Sequence, residues 1–139
     1  MNEHPAPTSV TLQRTGFSTF TATNAAGATI GVGGEGNLSP VELLLAAIAG
    51  CSAMDVDYIT ARRAEPLSFE VTSSGVKSTE GGNHLEDLHV TFRIAFPNGA
   101  DGDAARDRLP MAIKRSAEAL CTVSRTVQLG TPIVMDADR

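Results

Sequence analysis

Ser39-Pro40-Val41-Glu42-Leu43-Leu44-Leu45-Ala46-Ala47-Ile48-Ala49-Gly50-Cys51 opens the segment on which the fold turns. Ser39 can cap a helix, Pro40 suits its first position, and Glu42 stands three residues after the serine, which completes a capping box. The spacing predicts a helix from Pro40 to about Arg63. Its first turns are apolar all round, the pattern of a helix buried on every side. Ala46, Ala47, Ala49, Gly50, Ser52 and Ala53 are small enough to let a second backbone approach closely. A chain of 139 residues has few elements with which to cover such a helix, so dimerisation around it is the simplest expectation.

Outward from this helix the pattern is one of strands. Val10 to Phe20 reads as a strand with Gly16 at a bulge, followed by a turn at Asn24-Ala25-Ala26-Gly27 and a return strand over 28–32. Gly33-Gly34-Glu35-Gly36-Asn37 lacks the spacing and lysine of a phosphate loop and is a connection. Leu67, Phe69 and Val71 alternate with polar residues. Leu88, Val90, Phe92, Ile94 and Phe96 do so more clearly, with His89 facing outward. A second helix begins near Asp101 or Asp103 and carries Leu109, Ile113, Ala117 and Leu120, with Pro110 as a kink or a first turn. A short segment through Val127 and a last strand, Ile133 to Met135, close the chain. The order β-β-α-β-β-α-β fits an α+β domain with antiparallel sheet over 10–139, preceded by a disordered tail over 1–9.

Sixteen acidic against eleven basic residues give a net charge of −5, and no basic run exceeds Arg62-Arg63. An electrostatic grip on nucleic acid or on an anionic membrane is therefore not expected. The N-terminus has neither the positive lead nor the apolar core of a signal peptide, and the apolar run from Leu43 to Met54 is too short to span a bilayer. A cytoplasmic address follows by default. There a structural disulfide would be reduced, and any pairing of cysteines would be transient and chemical.

The chain has two cysteines, Cys51 inside the apolar helix and Cys121 at the end of the second, opening Cys121-Thr122-Val123-Ser124. Taken alone, each reads as a buried thiol that fills space or as one half of a redox pair. The histidines His4, His84 and His89 are scattered, and the cysteine spacing is not that of zinc, so no metal or organic cofactor is expected. Ser124 has no nucleophile-elbow motif around it.

Ser39-Pro40-Val41-Glu42-Leu43-Leu44, with a cysteine eleven residues beyond the proline, together with the Cys121 segment, resembles the OsmC/Ohr family of thiol-dependent hydroperoxide reductases over about 38–135. The resemblance implies antiparallel sheets packed around a long buried helix in an intertwined homodimer. It implies a hydroperoxide substrate, more readily organic given the apolar helix, and an external dithiol reductant. Cys51 would be the peroxidatic thiol and Cys121 the resolving one, passing through a sulfenic acid to an intrachain disulfide.

Cys51 lies beyond the first turn of its helix, where the dipole helps little, and Asp55 one turn on would raise its pKa, so a cation is required from elsewhere. Family members place an arginine on the first hairpin. Arg14 is the only arginine there, several residues before the expected alignment, and Arg125 is a second candidate. The family's catalytic glutamate often follows the proline directly, where this chain has Val41. Glu42 is the nearest equivalent, but about two and a half turns separate it from Cys51, and its capping role already explains it. The rivals to a peroxidase are a non-enzymatic small-molecule-binding or stress-response protein on the same fold and a metal- or persulfide-handling thiol protein.

Overall fold

A computed structural model describes residues 5–138. They fall into two compact units, one ending at Leu44 and the other beginning at Leu45. Part of the tail expected over 1–9, including His4, lies outside the described residues. Residues 5–9 precede the first strand without regular structure.

The first unit holds a three-stranded antiparallel sheet in the order β1-β2-β3, with β1 Val10–Gly16, β2 Thr19–Asn24 and β3 Thr29–Val32. The single strand expected over Val10–Phe20 is in fact two. The chain reverses at Phe17-Ser18, where Ser18 takes φ +51°, so that Gly16 pairs with Thr19. The bulge lies beside Gly16: Thr15 is the extra residue between the pairs Arg14–Phe20 and Gly16–Thr19. The expected turn at Asn24 is present, with the Asn24 side-chain oxygen accepting from the Ala26 and Ala28 amides.

Helix α1, Pro40–Thr60, starts as its sequence dictates. The Ser39 amide donates to Glu42 Oε1 at 2.9 Å and the Glu42 amide to Ser39 Oγ at 3.1 Å, a closed capping box. Within this single chain the helix is not buried on every side. Only the stripe Ile48, Ser52, Val56, Thr60 is covered, whereas Met54 is 75% and Tyr58 67% exposed. At 21 residues α1 is long and apolar enough to cross a membrane by length and composition, which the count ending at Met54 had not allowed. The core helix of a soluble protein meets the same criterion.

In the second unit β4, Ser68–Ser78, pairs with β5, His84–Ala95, as a long antiparallel hairpin. The register sets Phe69 beside Ile94, Val71 beside Phe92 and Ser73 beside Val90 on one face, and the Phe69 and Phe92 rings meet edge-on at 6.5 Å. A bulge opposite Gly75 uses Asp87 at φ +52°. His89 is exposed, as its alternation requires.

Helix α2, Ala100–Arg115, contains Pro110 in its interior, not its first turn. A five-residue π-helix, Ser116–Leu120, continues it directly and ends at Cys121, whose amide donates back to the Ser116 carbonyl at 3.0 Å. The short segment that follows Cys121 is helix α3, Thr122–Leu129, closed by Gly130 in the left-handed conformation at φ 62°. No strand forms at Ile133–Met135. These three side chains are among the most exposed apolar groups of the chain.

Gly102, in the first turn of α2, is buried, and a Cβ placed there would overlap the Pro97 carbonyl oxygen. Because that obstacle is backbone, Gly102→Ala is expected to destabilise by roughly 1–3 kcal/mol or more through overpacking, measured as a lowered midpoint of urea unfolding. Unchanged stability would show that the Pro97 turn gives way freely.

Candidate functional site

α1 and the turn between the π-helix and α3 bring together the two cysteines that the sequence separates. Cys51 and Asp55, one turn apart on α1, face Cys121 from across the second unit. The two sulfurs and an Asp55 carboxylate oxygen all lie within 4.8 Å of one another. Both cysteines are free thiols, Cys51 half-buried and Cys121 fully buried. Forming a disulfide of about 2.05 Å from this arrangement needs sulfur travel of no more than about 3 Å.

One hydrogen bond fixes the geometry. Ser116, the first residue of the π-helix and almost wholly buried, donates its hydroxyl to Asp55 Oδ2 at 2.9 Å. It ties the middle of α1 to the segment that delivers Cys121. The π-helix widens the turn by one residue, and Cys121 then takes an extended conformation, φ −77° and ψ 100°, as the N-cap of α3.

That position sets the electrostatics of Cys121. Cys121 does follow one helix, but its sulfur faces the start of the next, accepting from the Ser124 amide at 3.3 Å. The helix dipole there favours a thiolate. Ser124 Oγ is 3.2 Å from the same sulfur, the thiol donating when protonated and the hydroxyl donating when it is ionised. Burial pushes the Cys121 pKa up, but hydrogen bonds from Cys51, from the Ser124 hydroxyl and amide and from the Ser52 hydroxyl outweigh it and hold the thiol below its ordinary value. Cys51 moves the other way. Burial raises its pKa first, the hydrogen bond to Cys121 and the charges of Cys121 and Asp55 add to this, and one backbone hydrogen bond from Val123 offsets only part. Two anions at such separations repel by roughly 3 kcal/mol at an effective dielectric of about 20. The two sulfurs therefore do not ionise together, and Cys121 is the one that loses its proton more readily.

The other residues singled out in the sequence are placed differently. Arg14 is exposed on β1 opposite Phe20, in the first unit. Arg125 is exposed in the first turn of α3, with its amide bonded to the Cys121 carbonyl. Glu42 is engaged in the capping box, where hydrogen bonds from the Ser39 amide and hydroxyl lower its pKa. The residues that the sequence reading missed are Ser52, Ser116 and Ser124. Ser52 is legible afterwards as the residue beside Cys51, but nothing in the sequence marks Ser116 as a partner of Asp55.

A cavity of about 380 Å³ adjoins this cluster, lined by Ile48, Val90, Phe92 and Val127 among other apolar groups. Its size lies within the range of small-molecule sites, about 300–1,000 Å³. Ser124, whose hydroxyl and amide bond the Cys121 sulfur, and Ser52, the neighbour of Cys51 on α1, also form part of its wall. As a metal site, the Cys51–Asp55–Cys121 cluster offers three donors, one fewer than the closed shell of structural zinc.

The model of the OsmC-like protein family matches residues 33–136. An uncharacterized protein of Mycobacterium tuberculosis (strain H37Rv) is 29% identical over 133 residues, covering 93% of this chain and 95% of its own. Among solved structures, a hypothetical protein from Aquifex aeolicus VF5 is 25% identical with a TM-score of 0.73 over 91% of both chains. An OsmC-like protein of unknown function from Vibrio cholerae matches with a TM-score of 0.74 at 15% identity, over 89% of this chain and 95% of its own, and shares the α+β fold.

Ser116→Ala removes a buried hydrogen bond to a carboxylate, and is expected to cost roughly 1.5–3 kcal/mol in urea unfolding. A loss below about 0.5 kcal/mol would mean that this bond does not fix α1 against the Cys121 turn.

Proposed function

The chain belongs to the OsmC-like protein family, and from that premise and its paired sulfurs we propose that it is a thiol-dependent peroxidase acting on organic hydroperoxides. The observation that carries this reading is the cluster of Cys51, Cys121 and Asp55 within 4.8 Å. A thiolate attacks the terminal peroxide oxygen, the O–O bond breaks, and a sulfenic acid and an alcohol result. The second thiol then condenses with the sulfenic acid, closing the disulfide and releasing water. An external dithiol restores both thiols. The cycle needs no metal or organic cofactor, because sulfur is both nucleophile and electron donor.

The apolar cavity beside the Cys121 hydroxyl partners supports an organic substrate over a water-like one. A cytoplasmic setting supplies the reduced dithiols that such a cycle consumes. The net charge of −5 argues against nucleic acid or an anionic membrane surface as partner.

The functional form in this reading is a homodimer built on α1. Ala46, Ala47 and Gly50 are exposed, and Met54 and Tyr58 extend the same open surface. A second copy would remove this apolar area from water and raise the effective rigidity of the helix that carries Cys51.

Treating the protein with one equivalent of cumene hydroperoxide should consume the peroxide and lower the mass of the single chain by two hydrogens, with Cys51 and Cys121 joined in one peptide pair. Two thiols that survive unchanged would favour a binding protein on the same fold. Metal analysis and sulfide release on the purified protein separate the remaining rival.

In sedimentation at micromolar concentration the wild type should be a dimer. A Cβ at Gly50 meets nothing within 4 Å in the single chain. Gly50→Leu should therefore weaken the dimer at least tenfold while leaving the secondary structure of the chain intact. A wild-type monomer that is stable and fully folded would remove this part of the proposal.

A further inference from the structure

We propose that the pocket between the C-terminal end of α1 and α2 is a binding site for a small, soluble organic phosphate ester. It lies outside the thiol site and does not rest on the peroxidase reading.

The first ground is where the cations gather. The chain has a net charge of −5 and eleven basic residues. Four of these, Arg62, Arg63, Arg108 and Arg115, line one pocket of about 410 Å³. Arg62 and Arg63 stand in the turn that follows α1. Arg108 and Arg115 stand about two turns apart on α2, a spacing that brings both to one side of the helix. No carboxylate is among the lining residues. Arg93 and Arg106 each have an acidic partner, Glu70 at 3.2 Å and Asp103 at 2.8 Å. Among the described residues none of the four pocket arginines forms such an ion pair. Cations held together without a fixed counter-charge repel one another, and an anion from solution relieves that repulsion.

The second ground is preorganisation. The Arg62 guanidinium lies over the Tyr58 ring, its Cζ 4.4 Å from the ring centroid, and donates from Nη2 to the Tyr58 hydroxyl. Stacking on an aromatic face fixes the plane of a guanidinium and leaves most of its donors free, so less freedom is lost when an anion binds.

The form of the pocket selects the ligand. A carboxylate presents two oxygens in one plane and is satisfied by a single arginine fork. Arginines reaching in from two elements suit a group that accepts from several directions. A phosphate monoester does so, with three acceptor oxygens and about two negative charges. The volume falls within the range of small-molecule sites, about 300–1,000 Å³, and Ile59, Met111 and Leu120 supply an apolar wall. The ligand is therefore an ester whose organic part lies against these side chains, not the bare ion. An extended polyanion is disfavoured, because the chain outside this pocket is strongly acidic. Of the lining residues, only Tyr58 is shared with the open side of α1 on which the proposed dimer is built.

The test is calorimetric titration of the wild-type protein with phenyl phosphate, with inorganic phosphate and benzoate as comparators. Phenyl phosphate should bind at one site per chain, roughly tenfold or more tighter than either comparator. Raising the salt from about 50 to about 200 mM should weaken it at least threefold. Arg108→Gln and Arg115→Gln, each checked for folding by circular dichroism, should each lower the affinity by roughly tenfold. Arg93→Gln, outside the pocket, should leave it within about twofold. Amide chemical-shift changes in the wild type need no variant, and they should concentrate in residues 58–63 and 108–120. Absence of saturable binding up to about 10 mM phenyl phosphate overturns the proposal. So does an equal loss in Arg93→Gln, or a set of shifts centred elsewhere. Benzoate or inorganic phosphate binding as tightly as the ester overturns the choice of ligand. Retention on phosphatidylcholine vesicles carrying phosphatidic acid, without binding of phenyl phosphate, overturns the soluble source in favour of a lipid headgroup.

Discussion

The hydrogen bond from Ser116 to Asp55 is the constraint on which the rest of the site depends. It holds a carboxylate beside two sulfurs that would otherwise be chemically alike. The two sulfurs then differ in their surroundings: Cys51 has the carboxylate one turn away on its own helix, whereas Cys121 meets the Ser124 amide and hydroxyl.

The π-helix is what makes this arrangement available. Continuing α2 as a regular α-helix would have left Cys121 at a C-terminus, facing carbonyl oxygens. The extra residue per turn over Ser116–Leu120 instead delivers Cys121 in extended conformation to the start of α3. The π-helix also sets the Ser116 hydroxyl, at its own first position, against Asp55. One local irregularity thus places both the sulfur and the bond that orders its surroundings. Such insertions are frequent at functional sites because they re-aim side chains without breaking the helix.

α1 does two jobs that impose different demands. Its covered stripe, Ile48 to Thr60, anchors the second unit and includes Ser52, which also lines the apolar cavity. Its open side is made of small and apolar residues that are exposed among the described residues. Exposed alanine and glycine cost little in water, but Met54 and Tyr58 at 75% and 67% exposure do not sit comfortably there. The same holds for Ile133, Val134 and Met135, which carry strand propensity but form no strand among the described residues.

What the sequence determined by itself is whatever depends on near neighbours. The capping box sets the start of α1 because Ser39 and Glu42 satisfy each other across three residues. The alternation in β4 and β5 is legible because a pleated strand repeats every two residues. Cys51 and Cys121 stood out as a pair through their motifs. Only the tertiary structure decided the rest. A strand is a partnership, so Ile133–Met135 could not be judged from propensity alone. α3 is weakly marked in the sequence because Thr122, Val123, Thr126 and Val127 are β-branched and its cap is a cysteine, although Gly130 and the Val123–Val127 spacing favour it. The electrostatic difference between the two sulfurs arises from Ser52, Ser116, Ser124 and Asp55, which meet only when α1 packs against the Cys121 turn. Charges and donors act through distance in space, and sequence separation does not report it.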